Sequence, residues 1–192
     1  LCATFHEVGR LAAGGPAHVP LFEAALDFVE ARNDCADFVL HGVLRLVLQF
    51  GEDPRLPPAL VARARASILG FCFHPSERRP GTRDALCTWT ENHQILFAAA
   101  DLVASERFPD AVFPETGETG AARRERARRR VLRWLAMRFR TGFSEWLSHV
   151  YYDEDLLALL TLVDFSLDAE IRTRAAMVVD LLVLDMALHH FR

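Results

Sequence analysis

The chain reads as all-α. Its apolar residues recur at spacings of three and four almost throughout, alternating apolar and polar runs are scarce, and proline, glycine and asparagine gather in short polar stretches between the periodic segments. Ala17 to Ala31 sets Leu21, Ala25 and Phe28 on one face, and Asn33 with Asp34 supplies a turn and an N-cap for the next helix, which runs to about Phe50. That helix buries Phe38, Val39, Val43, Leu46, Val47 and Phe50. Gly51-Glu52-Asp53-Pro54 stops it, and Pro57-Pro58 opens a third helix to about Phe71 with Leu60, Ala64 and Ile68 inward.

His74 to Thr82, with Pro75, Pro80 and Gly81 among charges, reads as an exposed loop. A fourth helix runs from near Glu91 to Glu106. Phe108 to Gly120 holds Pro109, Pro114 and Gly117 and is expected to be a long irregular excursion. The fifth helix, about Ala121 to Arg140, passes from an arginine-rich start to the apolar Val131, Trp134, Leu135 and Phe139. Leu156, Leu159, Leu160 and Val163 mark a sixth, and Asp164 to Asp168 is the turn that follows. The last, about Ala169 to His190, is apolar almost all round through Met177, Val178, Leu181, Leu182, Val183 and Leu184, which predicts a helix covered on most sides. Short connections imply antiparallel hairpins, in an inner and an outer layer.

With 192 residues, 51% of them hydrophobic, the chain can bury a sizeable core, and it is expected to form a single helical domain over residues 1–192. It starts at Leu1 and ends on Phe191-Arg192 directly after a helix, so it reads as a fragment of a larger protein whose signal peptide, if present, lies out of view, and its compartment stays open. The net charge of −4 gives no general attraction to nucleic acid, and no apolar run spans a membrane because Asp180 and Asp185 interrupt the most hydrophobic helix. All 22 basic residues are arginine, which reflects codon usage; the run from Arg123 to Arg130 reads as a solvated helix face, with phosphate or acidic-polymer binding as its functional alternative. Cys2, Cys35, Cys72 and Cys87 lie 33, 37 and 15 residues apart without a Cys-x-x-Cys, which points to unpaired, mostly buried thiols.

Two segments break the amphipathic pattern. Trp89-Thr90-Glu91-Asn92-His93 and Gly142-Phe143-Ser144-Glu145-Trp146-Leu147-Ser148-His149-Val150-Tyr151-Tyr152 crowd rings, carboxylates, amides and imidazoles at helix starts, as a binding or catalytic surface would. Over roughly Thr88 to His190 these segments resemble the (α/α) toroid proteins, the helical-hairpin barrels of alginate and heparinoid lyases, several glycoside hydrolases and uncharacterised bacterial relatives. The chain has fewer helices than a full toroid and no β-sandwich region.

The resemblance implies a partial (α/α) toroid that acts on a polysaccharide or oligosaccharide as a lyase or a glycoside hydrolase, with no cofactor and no metal. Elimination from a uronate needs a carboxylate neutraliser, a base for the C5 proton and an acid for the leaving oxygen. By resemblance Asn92 would neutralise, His93 or His149 would be the base, and Tyr151 or Tyr152 would be acid or base, each within about 3 Å of the proton it moves. Hydrolysis needs two carboxylates, about 5 Å apart to retain configuration or about 6.5 to 9.5 Å apart to invert it, and Glu91, Glu145, Asp153, Glu154 and Asp155 are candidates. Trp89, Glu91, Trp146 and Arg138 are the substrate-binding candidates. Glu145 and His149 stand four apart, the spacing of a shared helical face, with Asp153 one turn on, but such a spacing is common by chance and there is no His-Glu-x-x-His, so no metal is expected. The alternative from another class is a noncatalytic helical scaffold that binds a glycan or protein in a concave face, with the two clusters fastening helices together.

Overall fold

The computed structural model describes residues 3–78, 81 and 84–190. The chain is all-α, with eight helices and one two-stranded ribbon among the described residues. They are α1 (Ala3–Ala12), α2 (Val19–Glu30), α3 (Ala36–Phe50), α4 (Pro58–Leu69), α5 (Glu91–Arg107), α6 (Gly120–Thr141), α7 (Tyr151–Phe165) and α8 (Ala169–Leu188), with β1 (Val112–Phe113) paired to β2 (Glu118–Thr119). None of the helices is long and apolar enough to cross a membrane. The expectations for Cys2, Pro80, Thr82, Phe191 and Arg192 lie outside the described residues.

Two compact units divide the chain, one of Leu1–Cys87 with Ala111–Glu118, the other of Thr88–Asp110 with Thr119–Arg192. In the first, α3 is the central helix, packed on α1, α2 and α4. Its start corrects the expected cap: Cys35, in the left-handed region at φ 64°, takes the N-cap position, and Asn33 and Asp34 lie in the turn before it. Arg63 of α4 ties back to Asp27 at 2.5 Å and Glu30 at 2.6 Å on α2. Of the expected exposed loop, His74, Pro75, Ser76 and Gly81 are exposed, and Glu77 departs from it. Phe71, Cys72 and Phe73 are buried, and Glu77, also buried, accepts the Phe73 backbone N–H at 3.0 Å from a 3-10 turn over Pro75–Glu77. Nor is the stretch from residue 108 to 120 shapeless, because it forms the β1–β2 ribbon, and Phe113 is buried with its ring 6.1 Å from that of Phe73. Cys35, Cys72 and Cys87 form no disulfide; only Cys72 is buried, where burial raises its thiol pKa.

In the second unit α5 packs on α6 and α7, and α8 closes against α7 and α6. The inner helix is therefore α5, not the last one. Nearly every α5 residue is buried, and the small side chains of Ala98, Ala99, Ala100 and Ala104 let neighbours approach from several sides. On α8 only Ile171, Ala175, Val178 and Leu182 are buried, while Met177, Val183, Leu184, Met186 and Leu188 remain exposed. A near-uniform apolar sequence has no period to reveal which face finds a partner.

Three carboxylates of α5 clasp arginines of α6 in antiparallel order. Arg138 meets Glu91; Arg123 gives Asp101 Oδ1 its Nε–H at 3.1 Å and an Nη2–H at 2.9 Å while Arg130 takes Oδ2 at 3.2 Å; and Arg124 reaches Glu106 at 3.4 Å. Arg123 and Asp101 are fully enclosed, so Arg123 departs from the expected solvated face, on which Arg124 and Arg129 do lie. Glu106 also accepts from Ser166 Oγ at 2.9 Å and the Leu167 N–H at 2.7 Å, joining α5 to the α7–α8 turn. Gly120 opens α6 where no side chain fits, since a Cβ there would stand 2.4 Å from the Phe108 carbonyl and 2.8 Å from that of Ser105.

Removing one partner of such an enclosed pair strands a charge in low dielectric. Asp101→Ala should therefore lower unfolding stability by about 3–5 kcal/mol in a urea titration, and Asp101→Leu with Arg123→Met should recover most of that loss, as apolar replacements of buried pairs do.

Candidate functional site

Both unusual segments belong to the second unit, and they meet. Glu91 stands in the first turn of α5, whose N-cap position is Thr90. Its Oε2 takes the Ser144 N–H at 2.8 Å and is also met by Ser144 Oγ and Arg138 Nη1. Trp134 on α6 gives its indole N–H to the Glu91 backbone carbonyl at 3.0 Å, and the Arg138 guanidinium lies 5.7 Å from the Trp134 ring centre. Gly142, at φ 73°, ends α6 and turns the chain into the segment that brings Ser144 back to α5.

Between α6 and α7 the chain is a series of turns, so Glu145 and His149 do not share a helical face. Leu147 takes a left-handed conformation at φ 53°, and its N–H donates to the Tyr152 hydroxyl oxygen at 2.9 Å. The Tyr152 O–H donates in turn to Asp185 Oδ2 on α8 at 2.6 Å. Burial and the Asp185 carboxylate push the phenol up to about 12. Its ring meets that of Phe143 at a tilt, with centres 5.4 Å apart, and Phe143 sits 6.2 Å from Trp134.

Below this layer lies Asp155. It is fully enclosed on α7, neither oxygen has a hydrogen-bond partner among the described residues, and its carboxyl is pushed up to about 8 by burial first and by neighbouring Glu145 second, with Arg138 pulling the other way. Burial also raises the partly buried Glu145, which feels His93 as a favourable charge, and lowers the Arg138 guanidinium. Glu145, His93, Asp155 and Arg138 thus act on one another electrostatically. Three of them are buried and Glu145 is partly exposed.

The remaining candidates divide between interior and surface. Asn92 is enclosed, its Oδ1 accepting from Thr90 Oγ1 at 2.5 Å and from the His93 N–H at 2.7 Å, which commits that oxygen to the first turn of α5. His93 is buried, with its ring 6.5 Å from that of Phe97. His149 and Tyr151 face solvent, Tyr151 at the first position of α7 and His149 two residues earlier. Asp153 and Glu154 sit in the first turn of α7, where carboxylates complement the helix dipole. Trp89 is 74% exposed and Trp146 62% exposed. Only Trp146 is fixed: its indole N–H donates to Asp185 Oδ1 at 3.2 Å, and it meets the His189 ring edge-on at 5.3 Å.

Asp185 joins this cluster without a local signal in the sequence. A lone carboxylate in an apolar helix reads as an interruption, and only the fold reveals that it serves both Tyr152 and Trp146.

The pKa of Asp155 fixes the sign of one pH effect. Between roughly pH 4 and pH 8 the folded chain keeps a proton on Asp155 that the unfolded chain has released, so this residue's contribution to stability declines as pH rises through that window. Asp155→Asn, which is neutral at every pH, should flatten the decline, and urea unfolding at about pH 5 and about pH 8 measures it. An unchanged slope would mean that Asp155 ionises normally.

No family model matches the chain, and neither curated proteins nor solved structures include one that is significantly similar to it.

Proposed function

We propose that the chain is a noncatalytic helical scaffold of the (α/α) toroid kind its motifs resemble, and that it binds a carbohydrate through Trp146. The observation that carries this reading is an indole 62% exposed yet held by Asp185 and His189. An exposed aromatic plane that is already ordered loses little freedom on binding, and it suits the apolar face of a sugar ring while neighbouring polar groups meet its hydroxyls. The cluster supports the scaffold half of the proposal, since Glu91 Oε2, Arg138 Nη1, the Ser144 N–H and hydroxyl and the Tyr152 hydroxyl are engaged with one another, with Asp185 or with the backbone.

Hydrolysis is the second reading, favoured by one observation. Asp155 retains its proton to about 8 beside Glu145, and an acid kept protonated next to a second carboxyl is what glycoside hydrolysis employs. Its enclosure ranks this reading below binding. Elimination draws less support, because Asn92 is enclosed and the Tyr152 hydroxyl is already engaged at both its donor and its acceptor side.

The test is a titration of tryptophan fluorescence with neutral and uronate-bearing oligosaccharides. Trp146→Ala is expected to weaken binding by about tenfold or more, the loss typical of a central aromatic anchor, while Trp89→Ala has a smaller effect. Binding without bond cleavage supports the scaffold. Reducing ends released by the unaltered chain and lost in Asp155→Asn would replace it with hydrolysis, ultraviolet absorbance from an unsaturated uronate would replace it with elimination, and no binding to any sugar would overturn the carbohydrate reading.

A further inference from the structure

The second unit carries a groove away from the Trp146 cluster. It lies between α6 and α8, encloses about 730 Å3, and is lined by Leu135, Ala136, Phe139, Met177 and Val178, with Arg140, Glu170 and Arg174 as its charged lining residues. Phe139 is 50% exposed and Met177 42%. Met137 on α6 and Leu184 and Val183 on α8 are also exposed apolar side chains. Apolar patches of this kind on an otherwise well-packed unit mark contact sites.

The charges beside it are selective. On the same helix Arg123, Arg124, Arg128, Arg129, Arg130 and Arg138 each hold a carboxylate of this chain. Arg133 and Arg140 are exposed and hold none among the described residues. Seven residues apart, they sit two turns from each other on one face of α6, in step with Met137 and Ala136 between them. Arg174, across the groove, shares its charge with Glu170 at 2.7 Å.

We infer that the groove docks a helix of a partner protein, amphipathic, with large apolar side chains at positions i, i+3, i+4 and i+7 and with carboxylates two turns apart along the edge that meets α6. The trough between two packed helices accepts a third by its apolar ridge, which supplies affinity. Arg133 and Arg140 supply direction and choice: a row of basic side chains at that edge would place like charges together, whereas acidic ones meet guanidinium groups that have no competing partner within this unit.

The probe is a pair of hydrocarbon-stapled helical peptides with the same leucine face, one flanked by glutamates and one by lysines, titrated against the whole chain by fluorescence anisotropy. The glutamate peptide is expected to bind at least tenfold tighter than the lysine peptide, with the gap narrowing as salt is added. Arg133→Glu with Arg140→Glu should reverse the preference at unchanged helical content, both positions being exposed, and Met177→Glu should weaken both peptides. Trp146→Ala should leave both affinities unchanged, which separates this surface from the carbohydrate reading. Equal binding of the two peptides, or binding of neither, overturns the inference. Self-association of the chain that Met177→Glu abolishes and that excludes the glutamate peptide also overturns it, because the occupant would then be a second copy.

Discussion

The clasp between α5 carboxylates and α6 arginines sets the geometry of the second unit. Glu91 at the start of α5 pairs with Arg138 near the end of α6, whereas Asp101 and Glu106 further along α5 pair with Arg130, Arg123 and Arg124 nearer the start of α6. A slide of α6 by one turn would leave Asp101 and Arg123 in dry interior without partners, a far larger penalty than misplacing an apolar contact. Apolar packing alone tolerates such slippage, because leucine and valine meet other leucines and valines equally well. The polar pairs select the register, and the register delivers Trp134 and Arg138 to the start of α5.

From that placement the unusual composition of the two clusters follows. Tyrosine and tryptophan combine a large apolar body with one polar atom that needs a partner when enclosed. Trp134 finds it in the Glu91 carbonyl and Tyr152 in Asp185 and the Leu147 N–H, so both rings fill space between helices without leaving an unsatisfied donor. Asp155 has no such partner among the described residues and stays neutral instead. Interior and surface duties are thus divided between neighbouring residues: Ser144 and Tyr152 hold the segment in place, and Trp146, between them in sequence, faces outward.

Much of this architecture was legible in the sequence. Pro57-Pro58 at the start of α4, Gly142 at the end of α6 and the Asp168 cap of α8 punctuate helices by local chemistry, and local chemistry can be read residue by residue. The unusual character of Trp89–His93 and Gly142–Tyr152 was also readable, because both break the amphipathic pattern at helix ends; that the two segments meet was not. Helix α1 carries a local signal of the same kind, with Val8 and Leu11 on its buried stripe at helical spacing. What remained hidden was non-local. Nothing in the order of residues says that Glu91 chooses Arg138, that Asp185 lies beside Tyr152, or that the alanine-rich α5 and not the leucine-rich α8 is the inner helix, since each depends on which surfaces meet after the chain has turned.

The ribbon that holds Phe113 has a consequence for the order of events on the ribosome. It completes the first unit, with its phenylalanine buried near Phe73, but it is encoded after α5, which belongs to the second. The amino-terminal portion therefore emerges without one of its own core side chains, and that patch stays uncovered until α5, whose own helical partners follow it in the chain, has left the exit tunnel. Maturation of the two units is interleaved, and neither can be separated from the other by a single cut of the gene.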